Sequence, residues 1–148
     1  SAYAKATLGA NNTLPINGTV FMSVNESDKM TIIPIGRDFQ EFGFDIIATS
    51  GTAKVLMDNG VKCKEIYKVG EGRPNIVDEI KNNSIALIIN TPLGKQSRYD
   101  EYEIGRAAIK YKVNAITTIE GAQAVVRAVR NVKFGKLNYQ SLQDIFNH

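Results

Sequence analysis

The sequence predicts an α/β fold in three layers, with a five-stranded parallel sheet between two layers of helices. Segments of strand composition alternate with segments of helical spacing along the chain, a pattern typical of right-handed crossovers. One strand segment, SIALIIN over Ser84–Asn90, holds five consecutive apolar residues, as strands buried on both faces do. Polar residues gather where strands are predicted to end, which is where Rossmann-like sheets bind ligands.

The composition is that of one ordinary globular domain. The 148 residues are 43% hydrophobic and 22% charged, and the net charge is +3. The Lys and Arg residues are scattered, without the interleaved aromatic residues of a nucleic-acid surface. No stretch has the length and hydropathy of a membrane span or a signal peptide, so we expect a cytoplasmic protein. Cys63 is the single cysteine and His148 the single histidine. We therefore expect no intrachain disulfide, no metal site and no mechanism that needs a positioned imidazole.

The first half of the chain is predicted to hold two strands and a helix between them. Residues 1–18 are rich in Asn, Gly and small side chains and are expected to form a linker or arm, with the domain itself over 19–148. Thr19–Val24 and Phe44–Ala48 are β-branched or apolar, so both are predicted strands. Between them apolar residues recur at helical spacing, and Pro34 is expected to delay the regular helix until the residue before it.

The second half continues the alternation of strands and helices. Its predicted elements, in chain order, are a helix over Ala53–Asn59, a strand over Lys64–Val69, a helix opened by Pro74, a strand over Ser84–Asn90, a helix over Glu101–Lys112, a strand over Ala115–Ile119 and a helix over Gly121–Asn131. The polar segment Thr91–Asp100 is expected to be a mobile loop.

Three polar clusters follow predicted strands, and these are Ser23 with Lys29, Thr49–Thr52, and Asn90 with Thr91. The carboxyl ends of parallel strands lie along one edge of a sheet. Residues that are distant in sequence would therefore face one crevice. We expect the ligand site of the chain at this edge.

The segment Thr49–Thr52 (TSGT) has two interpretations. Gly51 permits close approach of the backbone, the hydroxyls offer hydrogen bonds, and the following helix supplies free N–H groups and a positive dipole end, which together suit a phosphate. Alternatively, one of the two threonines is an ordinary helix cap. Lys29 and Lys68 would neutralise the phosphate in the first interpretation and are solvated surface lysines in the second.

Two further charged residues are candidates, and each has a structural alternative. Asp100 either accepts hydrogen bonds from a ribose or caps the helix that follows it. Arg73, within EGRPN, either binds an anion or pairs with a carboxylate and fixes the loop. The structural role is the favoured one for Arg73.

Five motifs occur in an order that resembles one family over nearly the whole chain: TVFMSVNESDK, FDIIATSGTA, YKVGEGRPNI, ALIINTP and YDEYEIGRAAIKYKV. The chain resembles the C-terminal allosteric domain of the carbamoyl-phosphate synthase large subunit, which has the methylglyoxal-synthase-like fold. The resemblance implies part of a longer cytoplasmic ligase of pyrimidine and arginine biosynthesis. That ligase makes carbamoyl phosphate from bicarbonate and glutamine-derived ammonia, and it uses ATP with Mg or Mn.

The resemblance also implies which functions lie in other parts of the enzyme. The ATP sites would lie in the remaining domains of the large subunit, and a glutaminase small subunit would be a further partner. This chain would carry no catalytic residue, no cofactor and no metal. In bacterial members of the family the domain binds UMP as an inhibitor and IMP as an activator in one crevice.

The residues that match the family's nucleotide site, together with Ser50 of TSGT, are Ser23, Lys29, Thr49, Gly51, Thr52, Lys68, Asn90, Thr91, Asp100 and Ile104. The phosphate would lie on Thr49–Thr52 near Lys29, while Asn90 and Thr91 would meet the sugar or the base. Pro92 stands where the pattern has a further threonine and removes a hydroxyl and an N–H donor, which affects base preference.

A second effector site, for ornithine, is implied less completely. Where the family pattern has tyrosine and threonine at the pair that contacts ornithine, this chain has Ala115 and Thr117. Only Thr117 matches. The other contacts would come from domains outside this chain.

Two other functions compete with a regulatory nucleotide-binding domain. A stand-alone methylglyoxal synthase shares the fold, but its proton abstraction needs a carboxylate base and, in that family, an active-site histidine. The corresponding segment here reads SVNESDK instead of carrying the family's His-Asp pair. The other alternative is a docking or oligomerisation module that binds no nucleotide.

Overall fold

The computed structural model describes residues 5–7, 13–93 and 98–135. The strands in these ranges are β1 (Lys5–Thr7), β2 (Thr13–Pro15), β3 (Thr19–Ser23), β4 (Asp45–Ala48), β5 (Lys64–Glu65), β6 (Leu87–Asn90) and β7 (Asn114–Ile116). The helices are α1 (Lys29–Glu41), α2 (Ser50–Asp58), α3 (Ile76–Lys81), α4 (Arg98–Lys110) and α5 (Ile119–Arg130). His148 and the middle of the loop predicted over Thr91–Asp100 lie outside the described residues.

Five of the strands form a parallel sheet in the order β5-β4-β3-β6-β7. The central strand β3 pairs with β4 on one side and with β6 on the other. From β3 the chain adds β4 and β5 on one side of the sheet, and it then returns to add β6 and β7 on the other side of β3. The strand order therefore reverses between β3 and β6, and this switch point opens a crevice at the carboxyl ends of the strands.

Helices cover both faces of the sheet, which confirms the predicted three-layer fold. On one face α1, α2 and α5 pack over a core that includes Ile32, Phe39 and Leu56. On the other face α3 and α4 pack over a smaller core that includes Ile80 and Ile104. All four residues of β6 are buried between these layers, as its continuous apolar run predicts.

Helix α1 begins earlier than the sequence predicts. It starts at Lys29 and continues through Pro34, which lies on the exposed side of the helix. A proline inside a helix removes one backbone hydrogen bond and crowds the preceding turn. The opposite face of α1 buries Ile32, Ile35 and Phe39 in the core. Tertiary packing outweighs the local cost of the proline here.

Strand β5 is shorter than the predicted strand over Lys64–Val69. Only Lys64–Glu65 pairs with β4, and after one further bridge between Tyr67 and Asn75 the chain leaves the sheet. The ring of Tyr67 lies against Gly72, where an added Cβ would be 3.1 Å from ring carbons. The segment therefore contacts its own loop instead of extending the sheet edge.

Residues 1–18 contain more structure than a linker needs. In the described part of this segment β1 and β2 form a two-stranded antiparallel sheet, so strands precede the one predicted over Thr19–Val24. Leu14 of β2 is 5% exposed and joins the core beneath α5. The role of the segment as an interdomain linker stays a prediction. Among the helices of the described residues none is long and apolar enough to cross a membrane.

Candidate functional site

Buried polar residues converge on the carboxyl edge of the sheet. Six polar residues are buried among those that the structure describes, and Asn75 is the one that lies elsewhere, at the start of α3. The five at the carboxyl edge are Ser23, Thr49, Thr52, Asn90 and Thr91. They come from the ends of β3, β4 and β6 and from the start of α2. The predicted convergence of the three sequence clusters is confirmed.

The threonines of TSGT do not cap α2. Thr49 occupies the N-cap position without a capping bond. Its Oγ1 instead donates to Ser23 Oγ at 2.9 Å. Thr52 Oγ1 accepts a hydrogen bond from the backbone N–H of Val24 at 3.1 Å. Both hydroxyls tie α2 to the end of the central strand.

The first turn of α2 is consequently a source of free N–H groups. The helix begins at Ser50, so most of TSGT belongs to the helix and not to the predicted loop. The first N–H groups of an α-helix have no partner within the helix. With no side-chain cap, the N–H groups of Ser50, Gly51 and Thr52 have no partner within the helix, and they lie at the positive end of the helix dipole.

Lys29 lies over this helix start. Its side chain is only 15% exposed, and Nζ donates to the carbonyl oxygen of Val24 at 3.2 Å and pairs with Glu26 Oε1 at 2.9 Å. A Cβ built on Gly51 would lie 3.3 Å from Lys29 Cε and 3.6 Å from Nζ. Glycine therefore leaves the room in which the ammonium group sits above the first turn of α2. The arrangement suits an anion.

Thr91 connects the end of β6 to the loop that precedes α1. Its Oγ1 accepts from the backbone N–H of Asn25 at 3.0 Å. The Asn25 side chain accepts in turn from Ser27 Oγ and from the backbone N–H of Asp28. Asn25 thereby caps a 3-10 turn over Glu26–Asp28. This network fixes the loop that leads into Lys29 at the start of α1.

A small cavity connects these groups to α4. Its enclosed space is about 10 Å³, which is roughly enough for one water molecule. Six of the predicted site residues line it: Ser23, Thr49, Lys68, Asn90, Asp100 and Ile104. Five residues that the sequence did not single out also line it: Phe21, Val69, Ile76, Leu93 and Glu101. The apolar members of this second group look like ordinary core residues in the sequence, so no local signal identifies them.

Asn90, the last residue of β6, brings a side-chain amide to the cavity. The residue is 9% exposed, and its amide has no hydrogen bond to any residue that the structure describes. No side-chain N or O atom of the described residues is both buried and without a hydrogen bond, so the amide is open to solvent or to a ligand. An amide offers two donors and an acceptor, so Asn90 is equipped to bind a polar ligand group.

Asp100 has an unusual electrostatic environment. It lies inside the first turn of α4 and not at the cap position. Partial burial raises its pKa, the charges of Glu71 and Glu101 raise it further, and the nearby ammonium group of Lys68 opposes the change. Glu101 is engaged elsewhere, since its carboxylate accepts from the backbone N–H of Leu93 at 2.9 Å.

Other candidate residues lie apart from this cavity. Thr117 and Ala115 are exposed at the edge of the sheet formed by β7, and Pro92 is exposed beyond β6. Arg73 donates to both carboxylate oxygens of Asp78 at 2.7 and 3.2 Å. The structural role favoured for Arg73 is confirmed.

Larger cavities lie at the opposite ends of the strands. One of about 980 Å³ is lined by residues around Asp45 and Cys63, and one of about 500 Å³ by residues around Lys64 and Ser84. None of the predicted site residues lines either of them. Size alone would favour these spaces, but the converging buried polar groups lie elsewhere. Among the residues described here, no group of His, Cys, Asp or Glu could hold a metal ion.

Fold and site together define an α/β domain with a crevice lined by polar residues at the switch point of its sheet. The chain belongs to the MGS-like domain family, whose model matches residues 31–117. It is 44% identical over 143 residues to the carbamoyl phosphate synthase large chain of a Nostoc species, which covers 97% of this chain and 13% of that protein. It is 49% identical over 146 residues to the C-terminal section of the carbamoyl phosphate synthase large chain of Methanopyrus kandleri, covering 98% of this chain and 27% of that one.

These relatives confirm the resemblance read from the sequence motifs. The chain spans only a small part of the length of the relatives that it matches. A solved structure of methylglyoxal synthase from Elizabethkingia anophelis superposes with a TM-score of 0.59 at 16% identity, covering 78% of this chain and 80% of that one. At this identity the likeness shows a shared fold alone.

Proposed function

We propose that this chain is a regulatory domain of a carbamoyl phosphate synthase large chain and that it binds a nucleoside monophosphate, UMP or IMP, at the carboxyl edge of its sheet. The ATP-dependent ligase chemistry would belong to the remaining domains. One observation carries the proposal. The uncapped first turn of α2 lies beneath the ammonium group of Lys29, and Gly51 leaves the space between them.

Two groups of residues would contact different parts of the nucleotide. The phosphate would accept hydrogen bonds from N–H groups of Ser50–Thr52, with Lys29 as its counter-ion. The sugar and base would extend toward the amide of Asn90 and toward Asp100, which line the same cavity. In this arrangement two hydrogen bonds fix the start of α2, one from Thr49 Oγ1 to Ser23 Oγ and one from the backbone N–H of Val24 to Thr52 Oγ1.

Calorimetric titration of the purified chain with UMP and with IMP tests the proposal. We expect saturable binding of at least one nucleotide. Binding should also stabilise the fold, because a ligand at about 100 times its Kd raises the free energy of unfolding by about 2.7 kcal/mol. Lys29→Met should weaken binding at least about tenfold, the effect of losing one charge-assisted contact of about 1.5 kcal/mol. Lys54→Met is the matched control, because Lys54 is an exposed lysine on α2 that pairs only with Asp58 in the described chain.

Failure to respond to either nucleotide at millimolar concentration would contradict the proposal and favour a docking module. No observation favours the methylglyoxal synthase alternative. The segment where that family has its His-Asp pair carries Asn25 and Ser27 here, and these side chains build the turn before α1. Phosphate release from dihydroxyacetone phosphate by the purified chain would establish the enzyme instead.

A further inference from the structure

Helix α4 presents two different faces. Its inner face contributes Asp100 and Ile104 to the small cavity and buries Ala107 and Ala108 in the core. Its outer face, which we call the α4 face, consists of Tyr99, Tyr102, Arg106, Ile109 and Lys110. All five of these residues are exposed. Their spacing places them within one stripe of the helix.

The α4 face has the composition of a binding surface. Ile109 is 82% exposed, Tyr99 66% and Tyr102 62%, although large apolar groups gain free energy when they are buried. The guanidinium carbon of Arg106 lies 5.7 Å from the ring centroid of Tyr102. Together with Trp, Tyr and Arg are the residues enriched among the energetic hot spots of protein interfaces. An aromatic pair with an exposed Ile in one stripe is more than scattered surface.

A groove beside the α4 face adds a positive charge pattern. It has a volume of about 410 Å³ and runs between α3 and α4, with Val77, Ala107 and Tyr111 among its apolar walls. The charged residues that line it are Lys81, Glu103, Arg106 and Lys110. Three cations stand against one carboxylate, so an occupant with acidic side chains is electrostatically complementary.

We propose that the α4 face and its groove dock onto an acidic and partly apolar surface in another part of the same large chain. This inference rests on the proposed function, since it assumes that the chain is one domain of such a polypeptide. The Nostoc relative has 87% of its length outside the matched region, by subtraction from the 13% that is covered. A regulatory domain needs a contact through which it acts on the remainder.

The position of α4 gives this contact a regulatory meaning. Ligand pockets usually measure about 300–1,000 Å³, whereas the cavity beside Asp100 encloses about 10 Å³. A nucleoside fits only if its lining moves, and α4 supplies three of the lining residues, Asp100, Glu101 and Ile104. The helix that must yield to the effector is therefore the helix that carries the docking face. An effector that prefers one position of α4 would change the docked contact.

Zero-length carbodiimide cross-linking of the full large chain tests the docking without any nucleotide. The reagent joins a lysine ammonium to a neighbouring carboxylate as an amide, with loss of water taken up by the carbodiimide. We expect peptides that link Lys81 or Lys110 to Asp or Glu residues outside this domain. Lys54, which lies 3.1 Å from Asp58, should form its internal link only. Links from Lys81 and Lys110 that stay within the domain, or that join two copies of it, overturn the proposal.

Two variants in the full large chain test the regulatory meaning. Arg106→Glu reverses a charge of the α4 face, Ile109→Ser removes its most exposed apolar group, and Lys54→Glu is the charge-reversal control on α2. We expect both α4 variants to keep the nucleotide affinity of the unmodified chain and to lose the effect of the nucleotide on ligase activity by at least about fivefold, the lower range of allosteric coupling. The control should keep both.

The two proposals fail in different ways. An unmodified large chain that binds no nucleotide contradicts the proposed function, while the cross-links still decide whether the α4 face is docked. Variants that bind the nucleotide and respond as strongly as the control overturn the regulatory role of the α4 face. Altered sedimentation of the α4 variants with an unchanged response would assign the surface to contacts between copies and would equally overturn it.

Discussion

The side chain of Lys29 lies so close to Gly51 that a side chain at position 51 would contact it. Gly51→Ala would place a methyl group 3.3 Å from Lys29 Cε, so the lysine side chain must shift by a few tenths of an ångström and the space above the first turn of α2 is reduced. We expect calorimetry to show nucleotide affinity reduced about tenfold, the equivalent of about 1.4 kcal/mol. The fold should survive, because alanine is the better helix former.

Gly105→Ala is the matched control for this substitution. Gly105 lies within α4, and a Cβ there would meet no atom within 4 Å. The exchange should raise the free energy of unfolding by up to about 1 kcal/mol and leave nucleotide affinity unchanged. Equal affinities for the two alanine variants would show that the room above Gly51 is not part of a binding site.

Asp100 should make stability depend on pH in an unusual direction. Its pKa is raised above the ordinary value of 3.8, so its contribution to stability is complete below that pH and declines as the pH rises through the raised pKa. Asp100→Asn should therefore raise the thermal midpoint at neutral pH. The gain should vanish below pH 3.8. A variant that is less stable than the unmodified chain at neutral pH would contradict the account.

Single residues also mark the limit of sequence-based prediction. The sequence identifies TSGT as a phosphate loop or a capped helix start, and it cannot decide between them. The deciding partners of Thr49 and Thr52 are Ser23 and Val24, which lie 26 and 28 positions earlier. Only the pairing of β3 with β4 brings these groups together.

At the level of single elements, the stability of α3 depends on the hydrogen bonds of its first turn. Asn75 and Asp78 form a capping box, and Asp78 also binds Arg73. The bond to Arg73, and next the N–H of Asn75, lower the pKa of Asp78. Asp78→Asn should lower the free energy of unfolding at neutral pH by about 1 kcal/mol, the usual effect of a lost cap.

The pH dependence of that loss is opposite in sign to the effect at Asp100. Because the pKa of Asp78 is lowered, its stabilising contribution is complete above the ordinary value of 3.8 and disappears as the pH falls through the lowered pKa. Denaturant unfolding at neutral and acidic pH measures both. A difference between the variant and the unmodified chain that grows on acidification would refute the pairing of Asp78 with Arg73.

The small sheet of β1 and β2 allows a test of where the domain begins. Leu14 is buried beneath α5, so Leu14→Ala should lower the free energy of unfolding by about 2–5 kcal/mol, as truncation of a core leucine does. A freely attached linker would show less than about 0.5 kcal/mol, the usual range for surface substitutions. Urea denaturation distinguishes these results, with Met57→Ala as an exposed-residue control.

Two elements show how local signals are overridden. Pro34 predicts a late start of α1, but buried side chains hold the helix together across it. Residues 66–69 (IYKV) predict a longer β5, but the strand ends at Glu65 and the ring of Tyr67 lies against Gly72. Local propensity is a weak guide where tertiary contacts are strong.

At the scale of the whole molecule, the fold follows from the alternation of elements and from the apolar run of β6. The strand order places the switch point between β3 and β6, so polar residues at the ends of β3, β4 and β6 meet at one edge. The sequence predicts this convergence correctly. The tightness of the cavity and the docking chemistry of α4 depend on side-chain packing, which the linear pattern does not encode.

A structure of the chain soaked with UMP or IMP would show whether the nucleotide occupies the carboxyl edge of the sheet. We expect the phosphate at the first turn of α2, with its oxygens about 2.7–3.1 Å from the backbone nitrogens of Gly51 or Thr52 and from Lys29 Nζ. We also expect a cavity widened by displacement of α4. A nucleotide bound elsewhere, or an unoccupied α2 terminus at a millimolar concentration that saturates binding in solution, would contradict this placement.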